Sequence, residues 1–297
     1  MTSARTILIT GCSDGSLGSA LAFAFHKAGW RVFASARNTS KLKKVEEVGI
    51  ETVQLDTLSD ESIANCVSHL TELTGGSLDG LLNNAGAGYN MPLLDIDVGK
   101  AQQLFELNVW SPINVTRAFL PLLMKSARGA LVVNNTACAS VAAGSMPFSG
   151  AYNASKAAAA SLTETLRIEL GPFDVKVINL VTGGVRSTFH SNAPTATLPP
   201  TSLYNVAKES VEKAMSGADA VNGSDPAQWA DEVAKELSKR NPQHWVWKGR
   251  FSTLVRIASH LPVGCLDGAM KSMVGLDVVE QKNKEQKGRQ KTALNSS

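Results

Sequence analysis

Short apolar runs rich in β-branched residues alternate with longer amphipathic stretches along most of the chain. The run 6–10 ends in Gly11, and the stretch 17–30 has the Ala- and Phe-rich composition of a helix. This order predicts a strand, a glycine turn and a helix. Further short apolar runs that indicate buried strands lie at 30–34, 52–55, 78–82, 130–134 and 175–180.

Helical patterns separate these runs, at 40–48, 97–125 and 151–170. Strands that alternate with helices in this way form a parallel sheet, because each crossover helix packs back onto the sheet. We therefore predict the α/β class, with a single doubly wound parallel sheet, helices on both of its faces and a helical C-terminal extension.

The composition changes after residue 189. The stretch 191–200 is crowded with Pro, Thr and Ala, and 216–226 with Gly, Ala and Asp, which is typical of loops around a mobile lid. The last residues are almost entirely polar, which favours disorder. We therefore divide the chain into a core at 1–190, a substrate lid at 191–230, a C-terminal extension of the same domain at 231–276 and a disordered polar tail at 277–297.

Composition and charge exclude several classes of protein. Of the 297 residues, 43% are hydrophobic and 19% are charged, as in water-soluble globular proteins. A formal net charge of +3 is too small to indicate a nucleic-acid partner. The first residues lack the pattern of a signal peptide, and no run reaches the roughly 18 apolar residues of a spanning helix. We expect a cytoplasmic protein that is not secreted.

Cysteine and histidine positions give no sign of a metal or a disulfide framework. The four cysteines include no CxxC pair, and the five histidines show no metal-ligand spacing. We therefore expect no metal site.

The turn after the first predicted strand carries glycines at Gly11, Gly15 and Gly18. Glycines at this place let the backbone approach a pyrophosphate, and the following helix presents free N–H groups to it. The turn therefore predicts a dinucleotide site, to which Ser13 and Leu17 also belong.

The segment from Gly11 to Gly15 also fits the G-x-S-x-G elbow of serine hydrolases, with Ser13 as the nucleophile. That elbow would fall on the first strand, so no earlier loop could supply the second oxyanion donor. A hydrolase is therefore a distant alternative.

Arg37 lies about 20 residues beyond the turn, where a site for NAD carries an acid for the ribose hydroxyls. Residues 34–37 contain no acid. Because a guanidinium can grip a 2′-phosphate with two hydrogen bonds, Arg37 favours NADP(H) as the cofactor. The alternative is a solvated arginine at the end of a strand.

Tyr152 and Lys156 are spaced i to i+4 in a predicted helix, which stacks the phenol and the ammonium on one face. A cation about 4 Å away contributes roughly 4 kcal/mol at an effective dielectric of 20, or about three pKa units. We therefore expect Lys156 to lower the pKa of Tyr152, so that the phenol can exchange a proton with a carbonyl or alcohol oxygen.

The motifs, taken together and in this order, are more specific than any one of them alone. The Gly11 turn comes first, followed by Asn83-Asn-Ala-Gly86, Asn108 in Leu107-Asn-Val-Trp110, and then Tyr152 with Lys156. In this order they resemble the short-chain dehydrogenases/reductases over about the first 190 residues. The resemblance implies a single Rossmann-type domain that binds NADP(H) and reduces a carbonyl group.

The resemblance also implies roles for individual residues. Tyr152 would be the acid and base, Lys156 would lower its pKa and hold the nicotinamide ribose, and Asn108 would anchor a proton-relay water. The remaining cofactor contacts implied by the resemblance are Asp56 on the adenine, Asn84 and Gly86 after the fourth strand, and Val185 and Thr188 near the nicotinamide amide.

The chain departs from the family pattern in the glycine turn and after the sixth strand. Ser16 is an extra residue in the turn, a longer form similar to that of fungal relatives of 1-acyldihydroxyacetone-phosphate reductase. The usual Pro-Gly after the sixth strand is Thr182-Gly183 here.

A third departure concerns the serine that the family places 13 residues before the tyrosine, where this chain has Ala139. If Ser140 replaces it, its hydroxyl would help to hold the developing oxyanion. If Ser140 points away, the chain is a catalytically weak or silent NADP-binding protein.

The C-terminal region contains Trp245 and Trp247 in alternation, which predicts a strand that extends the sheet, and an apolar segment at 251–276. That segment either packs against the core or a second subunit, or forms an interfacial helix. In the second case the helix would lie on an intracellular membrane or lipid droplet, with Arg250, Arg256 and Lys271 on its polar side.

Together these observations predict an NADP(H)-dependent short-chain oxidoreductase. It would interconvert a ketone and a secondary alcohol on a moderately hydrophobic substrate, either a lipid precursor or a fungal secondary metabolite. The resemblance also suggests a homodimer or homotetramer. The silent NADP-binding protein and the Ser13 hydrolase stay as alternatives.

Overall fold

The computed structural model describes residues 4–189, 197–217 and 222–295. Within them, seven parallel strands form one sheet in the order β3-β2-β1-β4-β5-β6-β7. The predicted doubly wound parallel sheet is confirmed, including the edge strand that contains Trp245 and Trp247. The strands are β1 (Thr6–Ile9), β2 (Arg31–Ala36), β3 (Glu51–Gln54), β4 (Gly80–Asn83), β5 (Ala130–Ala137), β6 (Val175–Thr182) and β7 (Trp245–Lys248).

Helices cover both faces of this sheet. The predicted long helix at 97–125 is divided by a π-helical stretch, Glu106–Trp110. The α-helices are α1 (Leu17–Lys27), α2 (Lys43–Glu46), α3 (Asp60–Thr74), α4 (Val98–Phe105), α5 (Ser111–Leu123), α6 (Gly150–Leu170), α7 (Lys208–Met215), α8 (Pro226–Leu237), α9 (Ser252–Ala258), α10 (Asp267–Met273) and α11 (Leu276–Asn295).

The strands are apolar at nearly every position because both faces of the sheet are buried. Ile7 and Ile9 of β1 face one way and join a cluster with Phe25 of α1. Leu8 points to the opposite face, where it joins a second cluster that includes Phe119 of α5. Because successive side chains of β1 point to opposite faces of the sheet, this strand contributes to two separate apolar cores.

The order of the strands places the candidate site. From β1 the chain passes to β2 and β3 on one side, and from β4 it continues towards β7 on the other side. A crevice opens at the carboxyl ends of the strands where the direction reverses, between β1 and β4. Gly11 follows β1 and Asn84 follows β4, so the two segments meet at this crevice.

A third apolar cluster lies beside the crevice. Phe148 packs there with Val211 and Met215 of α7, and with Val274 and Val279 from the C-terminal helices. Helix α7 is part of the expected substrate lid. Residues 191–196 and 218–221 of that lid lie outside the described residues.

The C-terminal tail differs from the predicted disorder. The structure has the helix α11 over most of the range 277–297, although the final two residues lie outside the described part. Lys, Gln and Glu are good helix formers despite their polarity. Val279 in the first turn is buried in the third cluster, which anchors the helix at its start.

The segment 251–276 is not one helix. Helices α9 and α10 are separate, and Phe251, Leu254 and Ile257 leave 53%, 59% and 62% of their surface exposed. Among the described residues, no helix is long and apolar enough to cross a membrane. Contact of this segment with a membrane surface stays a prediction.

The anchoring of α11 gives a stability test. Val279→Ala removes buried methyl groups from the third cluster, so it should lower the free energy of unfolding by about 1 to 3 kcal/mol in urea denaturation. Truncation after Gln281 is the matched control, because residues 282–290 of the helix are exposed and their loss should cost under about 0.5 kcal/mol. Equal losses would show that the helix is not anchored through its first turn.

Candidate active site

The turn after β1 is built around two glycines that tolerate no side chain. Gly11 has a φ of +73°, and a Cβ there would lie 2.9 Å from the Cα of Ala85. A Cβ at Gly18 would lie 2.3 Å from the carbonyl oxygen of Gly11. The turn therefore presents bare backbone at the start of α1, as a pyrophosphate site requires.

The extra residue Ser16 has a structural role in this turn. Its hydroxyl donates to the Gly11 carbonyl at 2.9 Å and accepts from the Ser19 N–H at 3.1 Å, which caps α1. These two hydrogen bonds hold the longer turn together, and the N-terminus of α1 still lies at the crevice. The expected contact residues Ser13, Gly15 and Leu17 lie within it.

Two side chains that could be considered nucleophiles in this turn are not activated. Cys12 is buried with its thiol directed to the Ile9 carbonyl, and burial raises its pKa to about 12. Within the described residues, the hydroxyl of Ser13 makes no hydrogen bond to a histidine. Nothing in this geometry favours the Ser13 hydrolase.

Arg37 and Asp56 lie at the ends of neighbouring strands, on the side of the crevice away from α6. Arg37 directly follows β2 and is exposed, and its guanidinium has no hydrogen bond or ion pair within the described part of the chain. Asp56 follows β3, and one carboxylate oxygen accepts from the Leu58 N–H at 3.1 Å. Their contact with the adenosine half of a dinucleotide stays a prediction.

Helix α6 brings Tyr152 and Lys156 to the crevice on one face. The Lys156 Nζ donates to the main-chain carbonyl of Asn135 at 3.1 Å and lies 5.8 Å from the centre of the Tyr152 ring. Burial lowers the pKa of Lys156 to about 8. The hydrogen-bond partner of the ammonium is therefore a carbonyl oxygen and not a carboxylate.

The expected lowering of the Tyr152 pKa is not what this structure shows. Burial raises the pKa of Tyr152 above its ordinary value, and the neighbouring Cys138 adds to the rise. The reason is geometric, because the ammonium of Lys156 is directed to Asn135 and not to the phenol oxygen. In this geometry the phenol stays protonated at neutral pH and is a weaker acid than a solvated tyrosine.

Asn108 lies in the π-helical stretch between α4 and α5. Its amide accepts from the Ala87 N–H and donates to the Ala87 carbonyl, and it also donates to the Ser155 hydroxyl, each at 3.0 Å. A Cβ at Gly86 would lie 3.1 Å from its Oδ1, so a side chain at residue 86 would press on Asn108. Asn108 therefore ties α6 to the segment after β4.

The short 3-10 turn Cys138–Ser140 ends β5 beside Tyr152. Ala139 is buried, and the Ser140 hydroxyl is also buried but has no hydrogen-bond partner among the described residues. Ala139 has no polar group, so the side-chain donors of this turn are the Ser140 hydroxyl and the Cys138 thiol, of which the thiol is the weaker. A buried hydroxyl without a partner costs about 1 to 3 kcal/mol, so Ser140 would gain from a ligand oxygen.

The segment after β6 crosses the crevice. The Thr188 N–H donates to the Gly15 carbonyl at 3.2 Å, while Val185 packs against the core beside Gly249. Phe189 was not predicted from the sequence, which contains no signal for it. Its ring centre lies 5.8 Å from that of Tyr152, so it covers the tyrosine.

The site agrees with what comparisons with known proteins show. A family model described as short chain dehydrogenase matches residues 5–197. A short-chain dehydrogenase/reductase of Pestalotiopsis microspora is 45% identical over 282 residues, which cover 94% of this chain and 97% of that protein. The match thus includes the C-terminal region as well as the nucleotide-binding half.

A second relative and a solved structure extend the comparison. The NADPH-dependent 1-acyldihydroxyacetone phosphate reductase of Schizosaccharomyces pombe is 31% identical, over 93% of this chain and 96% of that protein. The crystal structure of a short-chain dehydrogenase from Streptomyces avermitilis has a TM-score of 0.74 at 26% identity and covers 95% of this chain and 98% of that one. Fold and sequence therefore point to the same family.

The lowered pKa of Lys156 predicts a stability change with a defined pH dependence. Below about pH 8 the lysine is protonated in both states, so the burial penalty is fully present. Between pH 8 and 10.5 the unfolded state binds more protons, so stability rises with pH. Lys156→Met should therefore raise the free energy of unfolding by about 1 to 3 kcal/mol at pH 7, and by less near pH 10.

Urea denaturation at the two pH values measures this gain. Lys235→Met, at an exposed position on α8, is the control and should change stability by under about 0.5 kcal/mol at either pH. A Lys156→Met protein that is less stable than the wild type at pH 7 would contradict the assignment.

Proposed function

This chain belongs to the short-chain dehydrogenase family, and we propose that it is an NADP(H)-dependent oxidoreductase that interconverts a ketone and a secondary alcohol. The observation that carries the proposal is the meeting of the Gly11 turn with Tyr152, Lys156 and Asn108 at one crevice. A dinucleotide laid along this crevice would reach from the β2 and β3 edges to α6. Its substrate would be moderately hydrophobic, either a lipid precursor or a secondary metabolite.

Arg37 supports the choice of NADP(H) over NAD(H). The guanidinium is exposed at the end of β2, and the sequence 34–37 offers no carboxylate that would accept from ribose hydroxyls or repel a 2′-phosphate. The yeast relative is described as NADPH-dependent, which agrees with this choice.

Different protein groups would donate the proton to the reacting carbonyl and stabilise the charge that develops on its oxygen. When bound, the nicotinamide supplies or accepts a hydride. Tyr152 would donate its proton to the carbonyl oxygen, and Lys156 is positively charged below about pH 8. The Ser140 hydroxyl would donate a hydrogen bond to the same oxygen as negative charge develops on it.

The surroundings of Tyr152 support a hydrophobic substrate. Phe189 covers the phenol on one side, and Phe148 and Met146 belong to the apolar cluster beneath the expected lid. An apolar substrate chain packed against Phe189 would bury its surface and exclude water from the carbonyl. A polar sugar or acid would find few partners among these side chains.

A catalytically silent NADP-binding protein is the second candidate. Ala139 at the usual serine position favours it, and so does the Lys156 ammonium, which is bonded to Asn135 and not to the phenol. Cofactor binding without turnover of any ketone would distinguish this candidate from the oxidoreductase.

The cofactor is tested by thermal unfolding with NADPH and with NADH. A ligand at 100 times its dissociation constant adds about 2.7 kcal/mol, which should raise the midpoint by roughly 3 °C or more. We expect this shift with NADPH, a smaller one with NADH, and loss of the difference in Arg37→Gln. Arg256→Gln, at an exposed position on α9, is the matched control. Equal shifts with both nucleotides in the wild type would overturn the NADP(H) preference.

The mechanism is tested by the oxidation of NADPH with a panel of apolar ketones. Tyr152→Phe removes the proton donor, so kcat should fall by about 10²- to 10⁴-fold while the thermal shift with NADPH stays unchanged. Turnover at the wild-type rate in Tyr152→Phe would exclude this residue as the acid.

The same assay separates Ser140 from a merely structural residue. Ser140→Ala should lower kcat by about 10²- to 10³-fold if its hydroxyl holds the oxyanion. It should not lower protein stability, because the hydroxyl has no partner to lose within the described residues. A fully active Ser140→Ala protein would show that the site works without a serine donor.

A further inference from the structure

Thr182 makes a side-chain contact with a neighbouring strand. It is the last residue of β6 and is buried, and its hydroxyl donates to the side-chain oxygen of Asn135 on β5 at 2.6 Å. The Thr182 hydroxyl therefore makes a specific bond at the carboxyl edge of the sheet.

This bond is one link of a chain of hydrogen bonds. The Asn135 amide donates to the Asn84 side-chain oxygen at 2.9 Å, and the Asn84 amide donates to the Thr10 carbonyl at 2.9 Å. A further, longer bond joins the Asn84 amide to the Gly11 carbonyl at 3.3 Å. This chain of hydrogen bonds thus links β6, β5, β4 and β1, which are consecutive neighbours in the sheet.

The donor-to-acceptor direction of these hydrogen bonds is determined by the last acceptors, the carbonyl oxygens of Thr10 and Gly11. Because the atoms of Thr10 and Gly11 that the Asn84 side chain contacts are carbonyl oxygens, this side chain must present its NH₂ group to them and its oxygen to Asn135. Asn135 must then present its NH₂ group to Asn84 and its oxygen to residue 182. Only a donor such as the Thr182 hydroxyl can satisfy that oxygen.

The chain joins segments that contact different parts of the expected cofactor. The Gly11 turn lies at one end, and Thr182 leads into the segment with Val185 and Thr188 at the other. In the middle, the main-chain carbonyl of Asn135 accepts from Lys156. One set of uncharged groups therefore holds three parts of the site at defined positions.

We propose that Thr182 and Asn135 are positioning residues, which hold the nicotinamide side of the cofactor site in register with the phosphate-binding turn. The inference rests on the proposed NADP(H) site and deepens it. The two residues act through the backbone and Asn84, and neither is assigned contact with the substrate. The adenosine side, at the ends of β2 and β3, lies outside the chain of hydrogen bonds.

The test compares two ligands that share one half. NADP⁺ contains the nicotinamide, and 2′,5′-ADP contains only the adenosine half with its 2′-phosphate. Thr182→Val keeps the shape of the side chain and removes the donor. We expect it to weaken NADP⁺ binding by about five- to tenfold in titration calorimetry, with 2′,5′-ADP binding within about twofold of the wild type. Thr182→Ser restores the hydroxyl and should recover NADP⁺ binding.

Thr136→Val is the matched control. The Thr136 hydroxyl donates to the side-chain oxygen of Asn179 at 2.6 Å, so it also joins β5 to β6, but from the opposite face of the sheet. Its loss should lower the midpoint of thermal unfolding about as much as Thr182→Val does. Neither ligand should bind more weakly to it, because that bond does not belong to the chain.

Each outcome bears on the proposal. Unchanged NADP⁺ binding in Thr182→Val, equal weakening of both ligands, or a loss of NADP⁺ affinity in Thr136→Val as large as that in Thr182→Val would overturn it. If Thr182→Val does not fold, Thr182→Ala takes its place with the same expected pattern. A wild-type protein that binds neither ligand would overturn the proposed function and this inference with it, whereas binding of both ligands with no selective loss would overturn only the inference.

Discussion

The close approach of the turn after β1 to the segment after β4 is the constraint on which the site depends. Main-chain atoms of Gly11 and Ala85 meet at a distance that leaves no room for a Cβ. The Thr10 hydroxyl accepts from the N–H groups of Asn84 and Ala85, at 2.9 Å each, which holds the two segments together. Every other feature of the crevice is arranged around this contact, since it places the N-terminus of α1 beside the end of β4.

Hydrogen bonds between neutral amide and hydroxyl side chains link the contact region to the neighbouring strands of the sheet. On one face Asn83, Asn134 and Thr163 are joined by side-chain hydrogen bonds, and on the other face the chain from Asn84 ends at Thr182. Neutral groups lose less solvation energy on burial than charged groups do, so such networks can be fully buried when every donor finds an acceptor. Lys156 is a buried charge among them, and its lowered pKa reflects the energetic cost of that position.

Parts of the fold and the site could be predicted because local patterns carry them. The apolar runs and the glycine turn indicated the parallel sheet, and the i to i+4 spacing placed Tyr152 and Lys156 on one face of α6. The pKa of Tyr152 could not be predicted in the same way. Spacing along a helix does not show that the Lys156 ammonium is bonded to a carbonyl of β5, on a different element. Likewise, the composition of residues 277–297 gave no sign of the buried contact of Val279 that anchors α11.

By itself, the sequence determined the class of fold, the position of the nucleotide turn and the pair of residues able to exchange a proton. Each depends on residues close in sequence, whose spacing sets their relative positions through helix and strand geometry. Only the tertiary structure decided which side chains meet across the sheet. Asn84, Asn135 and Thr182 are separated by dozens of residues, and they come together because β4, β5 and β6 are neighbours. The same reason applies to Phe189 over Tyr152 and to the Ser140 hydroxyl, which finds no partner among the residues that the structure describes; both depend on packing between separate segments.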